Sequence, residues 1–220
     1  MIKSNECLED LQCNNLFIIQ EKEGYRFTSD AVALANFVRV KPNGKVVDLC
    51  SGSGVIGILV SAKNPVSYTY LVEIQSNLAD MSKRTIEHNG LDNVFSVVNK
   101  PLQDIHKEIG VGTFDVVVCN PPYKKSGTAT NIGAIDTISI AKHEITVTLE
   151  DIIREAGKLL KFGGDFYIVN KEERLVDMMC IMRKYQLEPK ELKILPSTKG
   201  ASVVMLKARK GGKSGLKISL

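Results

Sequence analysis

The sequence has no CxxC pair, and no histidine cluster lies beside its five cysteines, Cys7, Cys13, Cys50, Cys119 and Cys180. An odd number of scattered thiols supports neither a disulfide framework nor a zinc site. Cys50 and Cys119 stand among strand-like residues and read as small buried hydrophobes. No apolar run approaches the roughly 18 residues of a membrane span, and Met1 to Asp10 is too polar for a signal peptide. A soluble, cytoplasmic protein with no membrane partner is expected. There is no internal repeat and no low-complexity tract. Charge is also scarce as a signal: the formal net charge is +4 over 220 residues, with 44% hydrophobic, 25% charged and 6% aromatic residues. That composition excludes disordered, collagen-like and disulfide-scaffold classes, and the length suits one full α/β domain rather than two.

From Lys45 onward, short β-branched runs alternate with longer amphipathic stretches, the pattern of βαβ units. Strands are expected at Lys45 to Leu49, Tyr68 to Val72, Val94 to Asn99, Phe114 to Cys119, Asp165 to Val169, Leu192 to Leu195 and Ser202 to Lys207. Helices are expected near Gly54 to Lys63, Ser76 to Asn89, Leu149 to Leu160 and Glu172 to Gln186. Gly163-Gly164 reads as the turn into the fifth strand. Only Pro196 to Ala201 separates the last two strands, too little for a helical crossover, so they should pair antiparallel. The fold class is therefore α/β: a Rossmann-like, seven-stranded, mostly parallel sheet with helices on both faces and a C-terminal antiparallel hairpin. Upstream, Leu16 to Ile19 and Tyr25 to Thr28 flank Glu23-Gly24 as a small hairpin, followed by a helix capped by Ser29 or Asp30. Residues 1–44 are expected to form a hairpin and helix, 45–207 the main α/β domain, and 208–220 a basic flexible tail. The Gly-, Ser-, Thr- and Asn-rich stretch from Pro121 to about Thr148 has the length of a binding loop.

The first strand runs into Cys50-Ser51-Gly52-Ser53-Gly54-Val55-Ile56-Gly57. Gly52, Gly54 and Gly57 match GxGxxG, so both a nicotinamide dinucleotide and another nucleoside cofactor stay open. Asp48, four residues before the first glycine, would repel a pyrophosphate but suits the ammonium and sulfonium of S-adenosylmethionine, whose carboxylate can meet N–H groups at the helix N-terminus. Glu73, at the end of the second strand, can accept hydrogen bonds from vicinal ribose hydroxyls in either case.

The fourth strand ends in Asn120-Pro121-Pro122-Tyr123, which a doubly wound sheet places beside the glycine loop. Two prolines remove two N–H donors and stiffen the turn, so the Asn120 amide and the Pro121 carbonyl can converge on one planar NH2 group. Two oxygens accepting both of its hydrogens favour a pyramidal nitrogen with a free lone pair. Tyr123 can stack on the ring and orient it for attack on a methyl group.

These residues together, Asp48 to Gly54, Glu73 and Asn120-Pro121-Pro122-Tyr123, resemble the class I S-adenosylmethionine-dependent methyltransferases that modify amino groups. Asn15 to Gln20, Phe27 to Val32, Val47 to Gly54 and the segment Ala141-Lys142-His143-Glu144-Ile145 resemble, more narrowly, the tRNA valine adenine-N6 methyltransferase family. The resemblance implies a cofactor site of Asp48, Ser51, Gly52, Gly54, Glu73 and Asn120. It also implies Phe27, Thr28 and Asp30 as a lid, and Asn120, Pro121, Pro122 and Tyr123 as the group that holds the target adenine. Where such enzymes carry an acidic residue toward the cofactor's adenine, this chain has Asn99-Lys100-Pro101-Leu102. Asn99 or the backbone of Leu102 is then expected to make that contact. Lys142 stands where the family has an arginine. The implied reaction is direct methyl transfer to N6 of an adenosine beside the anticodon of a valine tRNA, with no metal and no obligate protein partner. His143 is not needed as a base.

Charge distribution fits an RNA partner. Residues 190–220 carry eight Lys or Arg (Lys190, Lys193, Lys199, Lys207, Arg209, Lys210, Lys213, Lys217) against Glu191, a net +7, which leaves −3 for residues 1–189 of a chain with +4 overall. Lys124, Lys125, Lys142, His143, Lys207, Arg209, Lys210, Lys213 and Lys217 are the expected RNA contacts. Four alternatives stay open: a glutamine-N5 protein methyltransferase, another RNA base amino-methyltransferase such as a guanine-N2 enzyme, a nicotinamide oxidoreductase, and a non-catalytic RNA-binding protein. The first typically carries an additional helical domain, whereas only 44 residues precede Lys45.

Overall fold

A computed structural model describes residues 2–24, 26–122, 147–195 and 202–219. The elements, in chain order, are β1 (Glu6–Asp10), β2 (Phe17–Glu21), α1 (Ser29–Phe37), β3 (Gly44–Leu49), α2 (Val55–Lys63), β4 (Val66–Val72), α3 (Ser76–His88), β5 (Phe95–Val98), α4 (His106–Ile109), β6 (Phe114–Cys119), α5 (Leu149–Leu159), β7 (Leu160–Lys171), α6 (Leu175–Lys184), β8 (Leu187–Leu195), β9 (Val203–Lys210) and β10 (Lys217–Ser219). Eight strands form the main sheet in the order β10-β8-β9-β7-β6-β3-β4-β5, and β1 pairs with β2 separately.

Strands β3 to β7 run parallel, and β9 enters antiparallel between β7 and β8. Val46, Val47 and Leu49 of β3 are fully buried because helices cover both faces of the sheet's centre. On one face, α1 and α2 pack Leu34, Val38, Leu59 and Val60 against Val46, Val116 and Tyr167. On the other, α5 and α6 pack Ile153, Leu159 and Met178 against Val47, Val117 and Phe166. In α3 the buried set Leu78, Ala79, Met81, Ser82, Thr85 and Ile86 follows the helical period. Helix α5 opens on a capping box, in which Thr148 accepts from the Asp151 N–H and Asp151 accepts from that of Thr148.

The seven expected strands are present, and the structure differs from the sequence reading in four places. The N-terminal hairpin pairs β1 with β2, not 16–19 with 25–28, and its loop reverses through Gln12, Asn14 and Asn15 at positive φ. Thr28 caps α1 by position and makes no side-chain cap bond. Gly163-Gly164 is a bulge inside β7: a step of two residues in β6, from Phe114 to Val116, is matched by a step of five in β7, from Leu160 to Asp165. Residues 208–220 are not a free tail throughout, because β9 continues to Lys210 and β10 adds parallel to the edge strand β8. Pro189 is accommodated at a register break in β8, which is why charged Glu188 to Lys190 still belong to a strand.

Candidate active site

The chain order reverses at β3, with β4 on one side and β6 on the other, so their carboxyl ends border one crevice. Three expected features meet there: the glycine loop after β3, Glu73 after β4 and Asn120 after β6.

The loop's shape is set by its backbone. Cys50, Gly52 and Gly54 have φ of 57°, 56° and 89°, and Gly54 N–H closes on the Ser51 carbonyl at 2.8 Å. A side chain at Gly54 would meet Leu71 at 2.8 Å, and one at Gly57 would meet Leu71 at 2.4 Å. Glycine is therefore demanded at both positions, one by conformation and the other by close packing of helix on strand.

Glu73 is buried and bridges two backbone donors. Its Oε2 accepts from Gly52 N–H and its Oε1 from Gln75 N–H, each at 2.8 Å. Ser82 of α3 donates to the Gly52 carbonyl at 3.0 Å. Asn99, expected to face a ligand, uses its amide N–H groups on the carbonyls of Glu73 and Ile74 at 2.8 and 3.0 Å. It thus braces the turn that carries Glu73. The Leu102 side chain lies in the core.

Asp48 is wholly buried, and its Oδ2 accepts from Gly57 N–H in the first turn of α2 at 3.0 Å. Burial, with a smaller push from the Glu73 charge, raises its carboxyl to about 8. Asp48 Oδ1, Ser51 Oγ and Ser53 Oγ are buried and have no hydrogen-bond partner among the described residues. Orphaned polar atoms in a core are rare, and three within six residues mark a place built to receive polar groups from outside the chain.

The lid segment is tied to the N-terminal hairpin. Buried Gln20 of β2 accepts from Phe27 N–H at 2.9 Å, and Phe27 packs on the α1 side of the core. Thr28 is exposed and Asp30 half-buried. The hairpin is fixed to α3: Arg84 grips both oxygens of Glu6 at 2.6 Å, Asn89 clasps the Phe17 N–H and carbonyl, and Thr85 accepts from Ile19 N–H. Side chains of one helix thus satisfy the open edge of β2. Ser82 and Arg84 were not singled out in the sequence. The signal for Ser82 was a small polar residue on the apolar stripe of α3.

Asn120 is half-buried, Pro121 buried and Pro122 exposed. Tyr123, Lys124, Lys125, Lys142 and His143 lie outside the described residues. Of the remaining basic positions, three in β9 have internal partners instead of hanging from a tail. Arg209 pairs with Asp165 through two bonds of 2.8 and 2.9 Å. Lys207 lies 3.3 Å from the same carboxylate and over the Tyr167 ring. Lys210 donates to the Leu160 carbonyl at 2.8 Å. Lys213 and Lys217 are exposed.

A doubly wound sheet carrying a glycine loop, a strand-end acid and an Asn-Pro-Pro turn at its switch point defines a class I methyltransferase. The chain belongs to the methyltransferase small domain family, whose model matches residues 28–186. Among curated relatives, it is 26% identical over 169 residues to a tRNA1(Val) (adenine(37)-N6)-methyltransferase of Porphyromonas gingivalis, covering 74% of this chain and 65% of that protein. It is 23% identical over 150 residues to a protein of the same name from Dyadobacter fermentans, covering 68% of this chain and 60% of that one. The chain thus spans slightly under two thirds of the length of these relatives. Among solved structures, Pyrococcus horikoshii TYW2 in complex with MeSAdo superposes with a TM-score of 0.67 at 14% identity, over 96% of this chain and 73% of that one. TrmN from Thermus thermophilus gives 0.58 at 14% identity, over 81% and 48%.

Proposed function

We propose that this protein transfers the methyl group of S-adenosylmethionine to the exocyclic N6 amine of an adenosine in tRNA, beside the anticodon of a valine tRNA. The observation that carries the reading is the meeting of the glycine loop, Glu73 and the Asn120-Pro121-Pro122 turn at one crevice, joined to the names of the curated relatives.

The residues present fit the cofactor. An ammonium group suits Asp48, whose carboxyl is raised mainly by burial and would ionise beside a cation. The orphaned hydroxyls of Ser51 and Ser53 can each make one bond to a polar ligand. Glu73, a carboxylate at the end of β4, suits vicinal ribose hydroxyls as an acceptor. When bound, the cofactor supplies an electrophilic methyl group on a sulfonium. Asn120 and the Pro121 carbonyl would accept the two amine hydrogens and so free the nitrogen lone pair. Tyr123 would replace the stacking that the adenine loses when it leaves the RNA. Phe27, Thr28 and Asp30 would cover the site. Lys213 and Lys217, with Lys124, Lys125, Lys142 and His143, are the proposed RNA contacts, while Lys207, Arg209 and Lys210 serve the sheet.

Incubation with labelled S-adenosylmethionine and unmodified valine tRNA transcripts tests the proposal. The expected product is N6-methyladenosine next to the anticodon, identified by mass. Label in guanosine, in a protein glutamine or in no product would overturn it.

A further inference from the structure

We propose that Cys50 and Cys119 form a redox-active dithiol that a peroxide closes into a disulfide, and that closure disables the site. In the parallel register Leu49 lies opposite Cys119, so their side chains share one face of the sheet. Cys50 follows Leu49 and in a continued strand would point to the other face. Its φ of 57° turns it back, and it packs on the core cluster that contains Leu49 and Cys119. The Cys50 thiol acts directly on the Cys119 thiol, raising its titration. Cys119 is fully buried and Cys50 partly exposed, so Cys50 is the one that solvent reaches. A non-glycine residue held at positive φ is a strained position that persists only when its surroundings fix it. Here it turns Cys50 toward the core face that carries Cys119.

The chemistry balances with hydrogen peroxide as oxidant. The Cys50 sulfur attacks one peroxide oxygen, the O–O bond breaks, and water leaves once the departing hydroxide takes a proton, giving a sulfenic acid on Cys50. The Cys119 sulfur then attacks the Cys50 sulfur, the S–O bond breaks, and the Cys119 proton leaves in a second water. Two electrons pass from the sulfur pair to the peroxide, and a dithiol reductant returns them. Burial, the Cys50 thiol, and the Asp48 and Glu73 carboxylates all push the Cys119 thiol well above the ordinary thiol range. The second step is therefore slow at neutral pH and faster in alkali. One sulfur adjoins Ser51 and the other adjoins Asn120, so the bridge would draw together the two strand ends that carry the glycine loop and the Asn-Pro-Pro turn.

The test uses the full chain with Cys7→Ser, Cys13→Ser and Cys180→Ser, which leaves these two thiols alone. After peroxide treatment, non-reducing peptide mapping should find Cys50 joined to Cys119 with two hydrogens lost. Affinity for S-adenosylhomocysteine should fall at least about tenfold and return with dithiothreitol, as misplacement of a positioned group by about 1 Å can cost 10²-fold. The further change Cys119→Ala should keep the reduced-state affinity and abolish the reversible loss. A sulfinic acid on Cys50 without a cross-link, or a cross-linked protein of unchanged affinity, would overturn the proposal. The mapping needs no methyl transfer, so it decides even if Cys119→Ala fails to fold or the tRNA reading fails.

Discussion

The Glu73 carboxylate and the Gly52 N–H meet at 2.8 Å and tie together the ends of the adjacent parallel strands β4 and β3. A charged acceptor with two backbone donors is stronger than a neutral one. Glu73→Gln retains the shape but turns an NH2 group toward one of the two N–H groups. Loss of about 2 kcal/mol of stability is expected, from a hydrogen bond to a buried charge. Affinity for S-adenosylhomocysteine should fall roughly 10- to 100-fold, which at 1.4 kcal/mol per decade is about one such bond. Urea melts and calorimetric titration would check both, and unchanged affinity would remove Glu73 from the cofactor site.

Asp48 makes a prediction about pH. Its carboxyl titrates near 8 in the folded chain and near 4 when unfolded. Between those values the folded protein keeps a proton that the unfolded chain has released. Stability from this group is thus full below about 4, falls as pH rises toward 8, and is level above. Asp48→Asn can still accept from Gly57 N–H and cannot ionise. Urea melts from pH 5 to 8 should show a shallower decline for the variant than for the wild type. Parallel slopes would show that the Asp48 carboxyl is ionised throughout.

The Arg84 grip on Glu6 acts with the opposite sign. The guanidinium holds the Glu6 carboxyl below its ordinary value, so this stabilisation is present above the unfolded pKa and disappears as pH falls through the lowered one. Both side chains are largely buried, at 12% and 4% exposure, and removing one partner strands the other charge. Arg84→Met should cost about 3 kcal/mol. Amide exchange should accelerate first in β1 and β2, because Arg84 anchors that hairpin on α3. Global unfolding with no preferential exchange there would contradict the anchoring role.

Much of the crevice was legible because its signals are local. Gly52, Gly54 and Gly57 answer to a turn and a close approach within ten residues of Asp48, and the two prolines after Asn120 mark a rigid turn wherever it lies. What escaped were partnerships between distant segments. Nothing near Arg209 says that Asp165 lies directly across the β7–β9 pair, so a basic run read as a free RNA-binding tail. Nothing near Cys7 says that α3 will supply Arg84, Thr85 and Asn89 to the hairpin. Its acidic first strand was passed over for 25–28, which lies beside a glycine. Asn99 was placed correctly at a strand end, but its amide N–H groups go to the carbonyls of Glu73 and Ile74 in the turn after the distant strand β4.

Asn120 is the position on which the proposed chemistry most depends. It ends β6, and Cys119 before it is locked opposite Leu49 on one side and Ile168 on the other. The backbone that presents the Asn120 amide is therefore rigid, and buried Pro121 after it donates no hydrogen bond. If the amide oxygen accepts a hydrogen from the target amine as the nitrogen becomes pyramidal, its contribution is larger in the transition state than in the ground state. Asn120→Ala should then lower turnover roughly 10²- to 10³-fold, as loss of one oriented group does. The KM for tRNA should change far less, because the RNA is held mainly through phosphates outside the pocket. Single-turnover methylation with saturating cofactor separates the two effects. Near wild-type turnover would exclude Asn120 from the reaction, and a rise in KM alone would reduce it to a binding contact.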